Sequence, residues 1–179
     1  MNKKIFWITQ TAVLLALLMA LQYITKGFGQ FVTGSCVNTI LAIAVLFAGL
    51  GSGITVALIS PVLAYLLGIA PQILVVPAIM VGNTVFVLVL YFLASGHRPA
   101  MQILGWLAAA VCKFAVLYVI VAKIVCGVLA GTLLSSGMLK EPMLKALPAT
   151  FSWPQLVTAL IGGAIALIIT PALKKALQK

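Results

Sequence analysis

The sequence predicts an all-α, polytopic membrane protein: a six-transmembrane-helix bundle with the N-terminus and C-terminus cytoplasmic. Three observations carry that prediction. Of 179 residues, 64% are hydrophobic and 7% charged, which is more apolar surface than so short a chain can hide in a soluble core. Apolar runs recur along the whole chain, and about 20 such residues are enough to cross roughly 30 Å of bilayer hydrocarbon. The formal charge is +10, yet the lysines and arginines mostly stand singly at the ends of apolar runs rather than on one polar face. That is the pattern of membrane topology, not of nucleic-acid binding.

Each element follows from its own boundaries. Lys3 and Lys4 precede the first run, which continues through Met19, Ala20, Leu21 and Tyr23 without a small-x-small cleavage site, so it reads as a retained helix and not a signal peptide. Breaks fall at residues 26–34, at Gly49-Leu-Gly-Ser-Gly53, near Ala70-Pro71-Gln72, at Ser95-Gly-His-Arg-Pro99 and at residues 140–152. They divide a single membrane domain, 1–179, into spans near 5–25, 35–50, 54–69, 73–94, 101–123 and 153–173. The second and third spans are short.

Residues 124–139 could form a seventh crossing, but that would part Lys3 and Lys4 from Lys174, Lys175 and Lys179, all of which favour the cytoplasmic side. They read instead as an outward continuation of the fifth helix or as an interfacial segment. The His97-Arg98 loop then falls inside, in agreement with the same rule. Three helices start at the outer face, at Gly34-Ser35, Pro71-Gln72 and Ser152-Trp-Pro154. Proline suits a first turn, and helix N-termini favour negative charge.

The chain excludes much by what it lacks. It has no Asp, and its one acid, Glu141, lies in a predicted loop. Proton- and sodium-coupled carriers place a carboxylate within the membrane, so coupling of that kind is excluded, together with metal-carboxylate chemistry. A serine hydrolase needs a base beside its nucleophile, but the only histidine, His97, sits in an inner loop. No G-x-x-x-x-G-K-[ST] cradle is present. Cys36, Cys112 and Cys126 lie in apolar stretches and read as small hydrophobes. The sequence therefore indicates no enzyme, no metal and no cofactor, and nothing that powers transport by itself.

A protein that binds within the membrane without its own energy source needs a surface for a subunit that has one. On the first helix Ala12, Ala16 and Ala20 recur every four residues, making a smooth stripe where another helix backbone can come close. Packing of this stripe inside the chain's own bundle is the alternative.

The alanine stripe, six predicted helices, the length and the scarcity of acids together resemble the S components of energy-coupling factor (ECF) transporters. Ser60-Pro-Val-Leu-Ala-Tyr-Leu-Leu-Gly68, Val81-Gly-Asn83 and Phe151-Ser-Trp-Pro-Gln-Leu-Val-Thr-Ala-Leu-Ile-Gly-Gly163 are similar to segments of S components. The resemblance covers essentially the whole chain. It implies a substrate-capture subunit of an ATP-driven importer of a vitamin or related micronutrient, in a prokaryotic plasma membrane. It also implies a first helix that docks through Ala12, Ala16 and Ala20 onto a transmembrane coupling subunit, with two ATPase subunits below, and a substrate site near the outer face formed mainly by the fourth to sixth helices and closed by outer loops.

Within that frame the lone midspan cation stands out. Lys113 lies about 18 Å up the fifth helix from Met101 at about 1.5 Å per residue, a little beyond the middle. A charged lysine there costs on the order of 2.5–3.5 kcal/mol to insert, and no carboxylate is placed to pair with it. Either groups such as Asn83 or Tyr118 satisfy it, or it sheds its proton, or its partner is a ligand with an anionic or electron-rich group. Asn83, and Gln155 with Thr158 on the sixth helix, share one cavity with Lys113 if the fourth to sixth helices enclose it. Trp153, Phe151 and Tyr118 are candidates to stack on a flat ligand, with Trp153 as an interfacial anchor the alternative. Lys123 reads as a rim anchor and Asn38 as structural or near a lid. Residues 26–31, with two glycines to bend (Gly27, Gly29) and two phenylalanines to cover (Phe28, Phe31), suit such a lid, with a plain connector the alternative. The rival readings are a stand-alone facilitator or channel, and a scaffold protein without a ligand.

Overall fold

In lipid every backbone polar group must find its partner within the protein, and helices do so locally. The computed structural model describes residues 3–70, 72–94 and 98–177, and it is helical nearly throughout. Helix α1 (Lys3–Thr25) leads through a 3₁₀ turn to α2 (Gln30–Ala48), and Gly49 alone joins α2 to α3 (Leu50–Leu66). Helices α4 (Val76–Ala94) and α5 (Pro99–Leu117) follow, and α5 continues as a π-helix over Tyr118–Val128. The short helices α6 (Ala130–Ser135) and α7 (Glu141–Thr150) precede the last long helix, α8 (Trp153–Leu177). Pro71 and His97, which figured in the predicted loops, lie outside the described residues, as does Lys179.

Among the described residues five stretches are long and apolar enough to cross a membrane, and α3 is a shorter apolar helix of 17 residues. At about 1.5 Å per residue α3 reaches roughly 25 Å, near the lower limit for a crossing. The protein is thus an all-α membrane bundle. Helix α2 packs along α8, α4 packs along α5, and α3 and α5 join these pairs through α4 and α8.

The glycines explain where the helices depart from the predicted spans. Residues 30–34 are helical because Gly34 is a contact and not a break: a Cβ there would sit 2.9 Å from Thr158 Cγ2 on α8. Gly53 likewise lies inside α3, where a Cβ would meet Val87 and Val45 at 2.8 and 2.9 Å. The one true break between these helices is Gly49, whose φ of +92° turns the chain in a single residue.

The predicted loop over residues 140–152 is largely helical. Pro142 occupies the first turn of α7 with Glu141 beside it, both favourable at a helix start. Residues 118–128 prolong the fifth helix, while α6 is a separate turn and a half beyond it.

Two apolar cores result. The larger one, with Leu41, Val45, Val56, Phe86, Val87 and Leu90, fills the middle of the bundle and the half toward the chain termini. The smaller one, with Val75, Leu117, Val121, Leu139, Leu147 and Phe151, seats α7 against α4 and the extension of α5. Helix α1 buries a single stripe, Thr11, Leu14, Leu18 and Gln22, and Thr11 meets Ser52 of α3 hydroxyl to hydroxyl at 2.6 Å. Its outer face carries Ala12, Ala16 and Ala20, all exposed. The alanine stripe therefore does not pack within the chain's own bundle.

Candidate functional site

The two cores leave a cavity of about 360 Å³ between them, at the end of the bundle away from the chain termini. Its volume is at the lower end of the roughly 300–1,000 Å³ typical of small-molecule sites. Every long helix contributes to the wall. Gln22 comes from α1, Gln30 and Asn38 from α2, Ser60 and Pro61 from α3, Asn83 from α4, Lys113 from α5 and Gln155 from α8. Helix α7 covers one side through Met143, Ala146, Leu147 and Thr150, and Gln72 reaches from the α3–α4 connection to the Met143 sulfur at 2.7 Å.

Lys113 is 2% exposed and lies in this wall. Its Nζ donates to Asn38 Oδ1 at 2.6 Å and to Asn83 Oδ1 at 2.7 Å, and it stands 5.5 Å from the centre of the Phe86 ring. Both partners are neutral amides, so they orient the amine without cancelling a charge on it. The only acid, Glu141, is exposed in the first turn of α7.

A second layer fixes the amides. Asn38 Nδ2 donates to Thr158 Oγ1 at 3.2 Å, and the Thr158 hydroxyl donates to the Gln155 carbonyl at 3.2 Å. This chain of bonds runs across a close crossing of α2 and α8, where Gly162 faces Asn38: a Cβ on Gly162 would fall 2.6 Å from Asn38 Cβ and 2.7 Å from the Ser35 carbonyl oxygen. Only glycine lets α8 approach α2 closely enough for Thr158 to reach Asn38.

The structure thus gathers Lys113, Asn83 and Gln155 on one wall surface and places Thr158 behind it, acting through Asn38. Trp153 and Tyr118 stand elsewhere. Trp153 is 59% exposed and tilts against Phe31 at 5.4 Å, while Tyr118 packs on Phe114 at 6.0 Å with Lys123 Nζ 5.5 Å from its ring. Neither lines the cavity, and Tyr118 is not a partner of Lys113; the aromatic side chain in the wall is Phe151. Of residues 26–31 only Gln30 reaches the wall, and α7 provides most of the cover.

Sequence reasoning set Asn38 aside and passed over Gln22, Gln30 and Gln72. A signal was available for three of them: an amide inside an apolar helix is costly unless it has a partner, and Asn38, Gln22 and Gln72 sit in or beside predicted spans, whereas Gln30 lies in a predicted break.

Two buried polar atoms in the wall make no hydrogen bond among the described residues, Gln22 Oε1 and Asn83 Nδ2. Leaving such a group unsatisfied costs about 1–3 kcal/mol. The wall is mostly apolar, with a small group of amides that is incompletely paired, the make-up typical of a small-molecule site.

A family model described as "ECF transporter, substrate-specific component" matches residues 10–174, nearly the whole chain. The protein belongs to that family: it is a substrate-specific, or S, component of an ECF transporter. Comparison with curated proteins and with solved structures gives no match. Membership makes the chain a substrate-binding transport subunit of the membrane.

Proposed function

We propose that the chain captures a small micronutrient of the vitamin class, bearing a carboxylate, phosphate or comparable electron-rich group, from the outer face of a prokaryotic plasma membrane. It delivers this substrate to a transmembrane coupling subunit driven by two ATPase subunits, and has no catalytic activity of its own. The observation that carries the substrate reading is Lys113, buried in the cavity wall and hydrogen-bonded, among the described residues, to the neutral oxygens of Asn38 and Asn83. An ammonium has three N–H donors, so one is left after these two bonds. Asn83 Nδ2 adds a second unengaged donor beside it. An anionic oxygen seated there would take both hydrogens and supply the charge that the chain's own residues do not.

The N-terminus of α8 supports the same assignment. Thr150, Phe151 and Gln155 bring the start of that helix to the wall, and helix N-termini favour negative charge. For the partner, support comes from α1: its exposed alanines leave a flat face on which a second helix can lie closely. A stand-alone facilitator would use the same cavity but has no use for that face.

Native mass spectrometry of the purified chain tests this reading. The expected result is a co-purified small molecule with an acidic group, released on unfolding. A bound cation, or a neutral molecule lacking any electron-rich group, would contradict it.

A further inference from the structure

Lys113 and Gln22 stand on different walls. Lys113 belongs to α5, which packs on α4 and α8, whereas Gln22 belongs to α1, which packs on α2 and α3. Among the described residues, the buried atom left without a hydrogen-bond partner differs between the two sides. On the Lys113 side it is a donor, Asn83 Nδ2, next to the ammonium that donates to Asn38 and Asn83. On the α1 side the unengaged atom is an acceptor, Gln22 Oε1.

Gln22 is 8% exposed and ends the buried stripe of α1. The stripe shows what a polar residue requires there: Thr11, one turn from Leu14, finds both the Trp7 carbonyl and the Ser52 hydroxyl. Leu14 and Leu18 need no partner. Gln22 has neither solution, because its carbonyl oxygen is buried without a donor while its side chain borders the cavity. A leucine would fit the stripe without that cost, so the amide is accounted for by what enters the cavity.

We propose that Gln22 is a specificity-determining residue, accepting a hydrogen bond from a hydroxyl or N–H at the end of the substrate remote from Lys113. The substrate is then an acid that carries a separate hydrogen-bond donor, bound across the cavity with its anionic group at α5 and its donor at α1. This rests on the reading of the cavity as the substrate site, and adds a second recognition point to it.

The test uses thermal unfolding of the purified full chain with four series of linear probes of graded length: ω-hydroxy carboxylates, their methyl ethers, and the carboxamides of both. The expected result is stabilisation by the hydroxy carboxylates at an optimal length, with methyl ethers roughly tenfold or more weaker in apparent affinity. In Gln22→Met the two should bind equally. Gln22→Glu keeps an oxygen acceptor and should keep the hydroxyl preference, which tests the assignment even if the methionine variant folds poorly. Equal binding of hydroxyl and methyl ether to the unaltered protein, or a preference that survives in Gln22→Met, overturns the role of Gln22. Carboxamides that bind as tightly as carboxylates overturn the anionic reading of Lys113 instead, while the hydroxyl comparison still judges Gln22.

Discussion

Lys113 and Asn38, 75 residues apart in sequence, meet at 2.6 Å inside the membrane bundle, Nζ to Oδ1. The contact ties α5 to α2, and through Thr158 it ties both to α8. Asn38→Leu should lower stability by about 1–3 kcal/mol, because the change removes an acceptor of a buried amine and leaves Thr158 without its donor. Adding Lys113→Met should cost less than the sum of the two single changes, by roughly 0.5–3 kcal/mol, since the residues share one network. Denaturation of the four proteins of this cycle in detergent measures it; strict additivity would show that the contact carries no energy.

Gly162→Ala should destabilise the fold by about 1–3 kcal/mol, since the new methyl must displace α2 backbone or Asn38. Gly131→Ala is the control: no atom lies within 4 Å of a Cβ there, and the residue is helical with ordinary φ. It should be neutral or slightly stabilising, as alanine is the better helix former. Thermal midpoints of the two variants separate close packing from a general effect of removing glycine.

Ala16→Leu should leave the bundle intact, because Ala16 is exposed on α1, yet weaken association with the coupling subunit by holding two helix backbones apart. Co-purification of the tagged variant with co-expressed coupling and ATPase subunits is the measurement. Recovery of those subunits at the unaltered yield would remove the docking role from this stripe.

The sequence makes some parts of this architecture plain and hides others for physical reasons. Apolar length is a one-dimensional signal, so the long helices can be read directly. Helix α7 was hidden because it is short and half polar, although Glu141-Pro142 marks its start. Gly34 and Gly53 look like breaks in a sequence but are points where helices touch, a distinction that exists only once the partner helix is in place. The site shows the same division. Lys113 stands out alone, as an unpaired cation in an apolar run, and Asn83 and Gln155 follow from its need of company. Asn38 and Gln22 come from the first two helices, and no one-dimensional signal brings those beside the fifth.

The central claim is that Lys113 recognises an anionic group. Lys113→Met leaves Asn38 Oδ1 and Asn83 Oδ1 without their donor, so the variant should be somewhat less stable but still fold on its apolar cores. The most direct measurement is a calorimetric titration of the molecule that co-purifies with the unaltered protein into both forms after it has been removed. The account predicts a loss of affinity of about tenfold or more in Lys113→Met, equivalent to about 1.4 kcal/mol or more, and incomplete recovery in Lys113→Arg, whose planar guanidinium needs a different pocket. Unchanged affinity in Lys113→Met would contradict it and leave this lysine as a strut between α2, α4 and α5.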